Sequence, residues 1–554
     1  MLQTQERDED VRQIATVIDP EALVDSVQEN VGSSAHALSD RIIQEVCNSI
    51  STPAPKFKLA QTSNSPAVAA ETVRRLLSLD GKPELNLASF VSTYVDKEGL
   101  ELCKENITKN LADGDEYPAL MTIQKRCVSI LSHLWNTQDG ETGVGTATTG
   151  SSEAIHLGGL AMKRRWEARQ RANGRPTDKP NIIMGANAQV ALEKFARYFD
   201  VENRFLDVHA GSDFGFDNED LKKNVDENTI GVFVIMGSTY TGHYQNVKAV
   251  AKALDEVEKE KGWDIPIHVD GASGAFVAPF VTPELEWDFR VPRVKSINTS
   301  GHKFGLTPAG CGWIIWRDRK FLPDELLFTL NYLGGSEETY TLNFSRPGHP
   351  IIYQYYEMIK NGHAGYKALH SMALKNARIL SIFLERTGYF DVLSDIHRPA
   401  GKKFVDKFPP PSSFNPKLPE SYYNPGLPVV SFGFSDDFRK QHPGLPQESI
   451  SALMRSRGYI IPNYPMPAAE EKHEVLRVVV NAYLTVDFVD KLMEDLIKAV
   501  NRLLQMEKSL GGRATSDVVY TALAAVSATD HDETDHETSW KERTGHKKHH
   551  HSRC

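Results

Sequence analysis

The sequence predicts an α/β protein with a large, mainly parallel sheet and a smaller second unit after it. Three observations carry this. From about residue 85, short β-rich runs alternate with amphipathic helical stretches: 181–184, 230–236, 265–269, 294–297 and 312–316 read as strands. Between the second and third lies QNVKAVAKALDEVEKEKG, which sets Val247, Val250, Ala251, Leu254 and Val257 on one helical face, the stripe of a helix that covers a sheet. Beyond about residue 372 the texture changes: a long helical stretch (364–386), a Pro-rich loop (408–428), strands at 427–434 and 474–480, and a last apolar helix near 487–506. Strands alternating with helices imply right-handed βαβ units and a parallel arrangement.

The boundaries follow from the same pattern. Residues 1–84 form a peripheral arm with helical patches near 40–49 and 68–78, residues 85–372 the large domain, 373–506 a small α+β domain, and 507–554 a tail of low periodicity that reads as disordered. Hydrophobic residues make up 40% and charged residues 25% of the 554, the balance of a globular chain with a real core. A net charge of -10 argues against nucleic-acid binding, which needs clustered cations. The five cysteines are scattered with no CxxC pair, which suits neither a zinc site nor a disulfide framework. The polar start MLQTQERDEDVRQ lacks the apolar core of a signal peptide, and no apolar run approaches the roughly 20 residues that span a bilayer. A cytoplasmic protein without membrane contact is the expectation.

In a parallel sheet, ligands gather beyond the carboxyl ends of the strands. Two loops there are unusual. IPIHVDGASGAF places Asp270 directly after a strand, followed by small residues, and KSINTSGHKFGL places Lys303 after the next strand, between Gly301 and Gly305. An aldehyde cofactor needs an amine to form an imine, and pyridoxal phosphate also needs an anion at its ring nitrogen so that the ring can accept an electron pair. A lysine and an aspartate ending consecutive strands suit those two jobs. A helix cap and a solvated surface lysine are the ordinary alternatives, and spacing leaves both readings open. A third segment, TATTGSSEAIHLGGLAMKRRW, offers a small polar loop (146–152) opening onto a helix, where free N–H groups and the hydroxyls of Ser151 and Ser152 would suit a phosphate. A helix merely capped by those hydroxyls is the alternative.

These motifs, with GSTYTGHYQNV, SINTSGHKFGLTPAGCGWIIWRD and LNFSRPG, closely resemble the pyridoxal-phosphate-dependent glutamate decarboxylases of the group II decarboxylase family, in family order over roughly residues 85–480. The resemblance implies the fold of the aspartate-aminotransferase superfamily (type I), with pyridoxal 5'-phosphate as cofactor, assembled at least as a homodimer with shared active sites. Lys303 matches the Schiff-base lysine and Asp270 the partner of the pyridine nitrogen. Ser151, Ser152, Ser300 and His302 match phosphate ligands, and Ser345 a phosphate contact reaching from the neighbouring subunit. Thr239 matches a position near the ring hydroxyl, Ala272 one against a ring face, and Gln189 the residue stacked on the other face, where glutamine is the choice of bacterial and plant glutamate decarboxylases.

For the substrate, L-glutamate, Arg477 in LRVVVNAYL resembles the arginine that binds the α-carboxylate. An arginine on a strand of valines is costly to bury without an anion, although an internal salt bridge would also serve. Ser89, Phe90, Asn110 and Asp113 match the region that receives the side-chain carboxylate. The implied products are 4-aminobutyrate and carbon dioxide, with Lys303 or His302 returning the proton to Cα. No metal is expected in the site. Competing readings are a related pyridoxal-phosphate decarboxylase or carbon–carbon lyase, and a cofactor-binding protein without turnover. Trp540, with Lys541, Arg543, Lys547 and Lys548, faintly resembles the calmodulin-binding tail of plant relatives, but lacks the apolar anchors of an amphipathic target helix.

Overall fold

The computed structural model describes residues 55–61, 63–330 and 337–509. The helical patch expected near 40–49 and the tail beyond 509 lie outside them. The chain divides into two units, Met1–Lys82 and Pro83–Cys554. In the first, helix α1 (Pro66–Leu77) starts at a proline whose missing N–H costs nothing in the first turn, behind Ser65, which accepts from the Val68 amide at 3.3 Å. That is why it begins two residues earlier than the apolar pattern suggested.

Among the described residues the second unit carries two small two-stranded sheets and two main ones. The larger has β1 (Val144–Thr148), β2 (Asn181–Gly185), β3 (Glu202–Leu206), β4 (Thr229–Ile235), β5 (Ile267–Asp270), β6 (Val294–Ser300) and β7 (Gly312–Trp316) in the order β1-β7-β6-β5-β4-β2-β3. The β3-β2-β4-β5-β6 pairings are parallel, while β7 runs antiparallel to β6 and to β1. Every residue of β2, β4, β5 and β7 is buried, as expected of a sheet covered on both faces. The smaller sheet, β8 (Phe390–Val392), β9 (Val429–Phe434), β10 (Asn463–Pro465) and β11 (Glu474–Val479), is antiparallel in the order β8-β9-β11-β10.

Among the helices of this unit are α2 (Ser151–Ala172), α3 (Val190–Tyr198), α4 (Val247–Lys261), α5 (His349–Arg386) and α6 (Val486–Ser509). The whole expected stripe of α4 is buried. Three expectations are corrected. Residues 146–148 belong to strand β1 and not to the loop before α2, which shrinks to Thr149 and Gly150; β1 is short and lies on the sheet edge, so it gave little apolar signal. Helix α5 starts at His349, fifteen residues before the expected Ala364, and is interrupted at Gly362 (φ 53°), so that only its second leg matches the pattern; it runs across the boundary placed at 372. The last helix continues to Ser509, past the expected start of the tail. Among the described residues no helix is long and apolar enough to cross a membrane.

Helix α2 lies close against the sheet because its inner face carries glycines. A Cβ at Gly158 would lie 2.4 Å from the ring of His268 on β5, far inside contact distance. Gly158→Val is therefore expected to lower stability by about 1–3 kcal/mol through overpacking. Gly211→Ala, where a Cβ meets nothing within 4 Å, is expected to stay within about 0.5 kcal/mol of the parent. Chemical unfolding of both variants checks the contrast; equal losses would sink it.

Candidate active site

A cavity of about 270 Å³ opens at the carboxyl ends of β4, β5 and β6, facing the amino terminus of α2. Ten of the residues singled out from sequence line it: Ser89, Phe90, Ser151, Ser152, Gln189, Thr239, Asp270, Ala272, His302 and Lys303. Each arrives by a loop that follows a strand or opens a helix, which is where an open parallel sheet gathers its ligand contacts.

Asp270 is the last residue of β5 and is 4% exposed. Its Oδ1 accepts from Asn298 Nδ2 at 3.0 Å and from the Ala272 amide at 3.1 Å, which leaves Oδ2 for a partner in the cavity. Behind it, His268 Nε2 meets Asn298 Oδ1 at 2.7 Å and His268 Nδ1 meets Ser296 Oγ at 2.7 Å. Since Asn298 donates to the carboxylate, its oxygen must accept from His268 Nε2–H, and Ser296 then donates to Nδ1. Burial pushes His268 down to about 4, so the ring is neutral and keeps this tautomer, despite the raising effects of Asn298 and Asp270. The alternative reading of Asp270 as a plain cap accounts for only one of its two bonds.

Around the loop after β6, His302 is likewise held near 4, first by burial and then by the neighbouring Lys303 charge. Its Nδ1 is buried without a partner. Opposite it, α2 begins at Gly150 with no side chain capping its first turn, so its orphan N–H groups and dipole point at the cavity. Ser151 and Ser152 line the space, and Ser300 sits just behind, donating to Ser151 Oγ at 2.9 Å. Gln189 caps α3, its Oε1 accepting from the Ala191 amide at 2.6 Å, while its half-buried side chain borders the cavity.

Arg477 lies behind Phe90 and is 3% exposed. Its Nη1 donates to the Thr239 carbonyl at 2.7 Å, Nη2 to the Ala88 carbonyl, and its buried Nε has no partner. Among the described residues no carboxylate pairs with it, so the salt-bridge alternative does not hold. The Phe90 ring stands between two cations, with Arg477 Cζ at 4.9 Å and Lys303 Nζ at 5.5 Å from its centroid.

Five of the expected residues do not line this cavity: Ser300 and Arg477 lie just behind its lining, and Asn110, Asp113 and Ser345 stand apart. Asn110 Nδ2 donates to Asp113 Oδ1 at 3.0 Å and to Ser345 Oγ at 3.4 Å, so the three form a cluster of their own, with Ser345 exposed. Sequence reasoning missed Asn298, His268 and Ser296, although His268 and Asp270 stand two apart on one strand and so share a face. It also missed Thr149, Asn187 and Ser273 in the lining, and Glu153, whose Oε2 accepts from the Thr149 amide at 2.9 Å and whose Oε1 accepts from the Leu342 amide at 3.1 Å.

Residues 64–400 match the family model of the pyridoxal-dependent decarboxylase conserved domain. The chain belongs to the pyridoxal-dependent decarboxylases, among the glutamate decarboxylases. It is 44% identical to the glutamate decarboxylase of Saccharomyces cerevisiae, over 87% of this chain and 84% of that one. It is 42% identical to that of Petunia hybrida over 90% and 94% of the two chains. The solved glutamate decarboxylase of Lactobacillus brevis superposes with a TM-score of 0.73 at 35% identity, covering 81% of this chain and 95% of that one. The family's cofactor is pyridoxal phosphate, and the cavity suits it: an uncapped helix end with hydroxyls for the phosphate, a held carboxylate, a lysine, and an orphaned buried imidazole nitrogen.

The neutral His268 makes a test of the carboxylate support. Between an unfolded value of about 6.5 and its folded value near 4, the unfolded chain binds a proton that the folded chain does not, so stability is present above this window and is lost as pH falls through it. The unfolding midpoint of His268→Gln is expected to fall less steeply than the parent's between those pH values. Identical slopes would mean that His268 is not held neutral by the fold.

Proposed function

We propose that this chain converts L-glutamate to 4-aminobutyrate and carbon dioxide in the cavity at the ends of β4–β6. The observation that carries the reading is one space in which Lys303, the supported Asp270 carboxylate and an uncapped helix terminus converge, backed by a buried arginine with no anion of its own. Pyridoxal phosphate, when bound, supplies an electron sink for the pair left at Cα as carbon dioxide departs.

The residues divide the remaining work. Lys303 Nζ would hold the cofactor in the cavity. The first-turn amides of α2, with Ser151, Ser152, Ser300 and His302, hold the phosphate. Asp270 keeps a proton on the pyridine nitrogen, and its bonds to Asn298 and Ala272 keep that oxygen pair from turning away. Ala272, Gln189 and Thr239, which line the cavity, would hold the cofactor ring. Arg477 orients the substrate through its α-carboxylate, with Phe90 keeping the two cations apart and water out. Ser89 lines the cavity where the distal carboxylate would be received, with Asn110 and Asp113 supplied by a second copy. Lys303 Nζ returns the proton to Cα, since His302 is held neutral. Neutral His302 is suited to phosphate as a donor and leaves the net positive field to the helix end.

Assembly and location belong to the same proposal. Asn110 and Asp113, half-buried, and the exposed Ser345 form a cluster off the cavity, which suits residues that complete the active site of a second copy in a homo-oligomer. The enzyme works in the cytoplasm. A calmodulin contact, if made, belongs to the segment around Trp540.

Borohydride reduction of the holoenzyme is expected to fix the cofactor on the peptide containing Lys303, and Lys303→Ala to remove that label together with decarboxylation of glutamate. Label persisting at this site in the variant would sink the assignment. Asp270→Asn is expected to bind cofactor yet lose on the order of 100-fold or more in kcat. Arg477→Lys should raise KM and lower kcat, together on the order of tenfold to 100-fold, because a point charge replaces a planar fork. Full activity in either variant would remove that residue from the mechanism. Mixing Lys303→Ala with Ser345→Trp is expected to restore part of the activity once subunits exchange; demonstrated exchange without recovery would place Ser345 outside the neighbouring site.

A further inference from the structure

At the far end of β6 from the cavity, cations crowd around one phenyl ring. Arg165 of α2, Lys295 of β6 and Lys320 lie with their charged groups 4.4, 4.9 and 5.3 Å from the Phe321 centroid. Lys295 Nζ donates to the Pro292 carbonyl at 2.6 Å, and Arg317 Nη1 donates to the same oxygen at 2.9 Å. An ammonium and a guanidinium thus share one acceptor.

Anions nearby are already taken. Glu141 holds Arg317 through Nε at 2.9 Å, and Asp264, whose field reaches both Arg165 and Lys295, is engaged with Arg293 at 3.5 Å and Arg169 at 4.0 Å. Arg293 is further paired with Asp255 and Glu258, and Lys320 with Asp318 at 4.0 Å. Among the described residues no carboxylate lies within 4.0 Å of Lys295 or Arg165. Burial first, and then Arg317, Arg165 and Arg293, push Lys295 down to about 8, with Asp264 acting against them. About a tenth of the amine is therefore neutral and nucleophilic at pH 7, and about half at pH 8. The side chain is only half buried, so a small gas molecule can reach it.

We propose that Lys295 is a carbon dioxide acceptor whose carbamate pairs with Arg165 and Arg317. The neutral amine attacks the carbon of carbon dioxide; an N–C bond forms, one C=O electron pair moves onto oxygen, and the nitrogen gives its proton to water. The side chain passes from a cation among cations to an anion among them. One N–H remains on the carbamate nitrogen to keep the bond to Pro292. The gas is the one the proposed reaction releases, but the modification rests on the surroundings of Lys295 alone, not on the reading of the cavity.

The test uses the full holoenzyme without substrate, in isotope-labelled bicarbonate at about pH 8, near the value where half the Lys295 amine is neutral. A trialkyloxonium reagent converts any carbamate to a stable ester, and peptide mass spectrometry locates it. Lys295 is expected to carry about tenfold more label than Lys320, whose side chain is 64% exposed beside the same ring. In Arg165→Gln, with an unchanged circular dichroism spectrum, the label on Lys295 should drop severalfold. Labelling of Lys295 no greater than that of Lys320, or undiminished in Arg165→Gln, would overturn the proposal.

Discussion

The register of β5 against β6 is the constraint on which the cavity depends. In the parallel pairing His268 lies opposite Ser296 and Asp270 opposite Asn298, so four polar side chains share one face of an otherwise apolar sheet. Residues two apart on a strand face the same way, and a slip of one position would turn Asn298 to the other face and leave the carboxylate buried without its donor. A buried carboxylate is tolerable only when its oxygens are satisfied, and here one oxygen is satisfied by the protein while the other meets the cavity. The chain from Ser296 through His268 and Asn298 is a second layer that fixes the first, and Gly158 of α2 gives the His268 ring its space.

The cavity also has a charge logic. At one end the amides of α2 lack side-chain caps, and behind Phe90 the Arg477 guanidinium is buried against two carbonyls, with no carboxylate paired to it among the described residues. Each is an anion requirement that the protein leaves unmet, and burying such groups unpaired carries a penalty of a few kcal/mol apiece. In the proposed reading the two requirements belong to two different anions, the cofactor's phosphate and the substrate's α-carboxylate. Phe90 separates Lys303 from Arg477, which lets two cations stand near one another while excluding the water that would screen them.

The opposite end of the sheet shows the same physics with another outcome. Around Phe321 the surplus is again positive, and the nearby carboxylates Asp264 and Glu141 are engaged with arginines. A lysine in that position loses its proton more readily than one in water, which turns a packing feature into a site of reactivity.

Much of this was legible in the residues. The alternation of β runs with amphipathic stretches sufficed for the α/β class, because a covered parallel strand must be apolar throughout and its covering helix must carry a stripe, as α4 does. The motifs around Ser151, Asp270 and Lys303 pointed to one cofactor chemistry through their resemblance to the glutamate decarboxylases, whereas their spacing alone left the ordinary alternatives open. What the residues could not decide was pairing. That β7 runs antiparallel between β1 and β6, that β1 is a strand at all, and that Asn298 and His268 stand behind Asp270 are facts of register, set by hydrogen bonds between segments far apart in sequence. The separation of Asn110, Asp113 and Ser345 from the cavity, and the bare guanidinium of Arg477, were decided in the same way. Composition and local pattern state which groups need a partner; only the folded chain determines which partner is within reach.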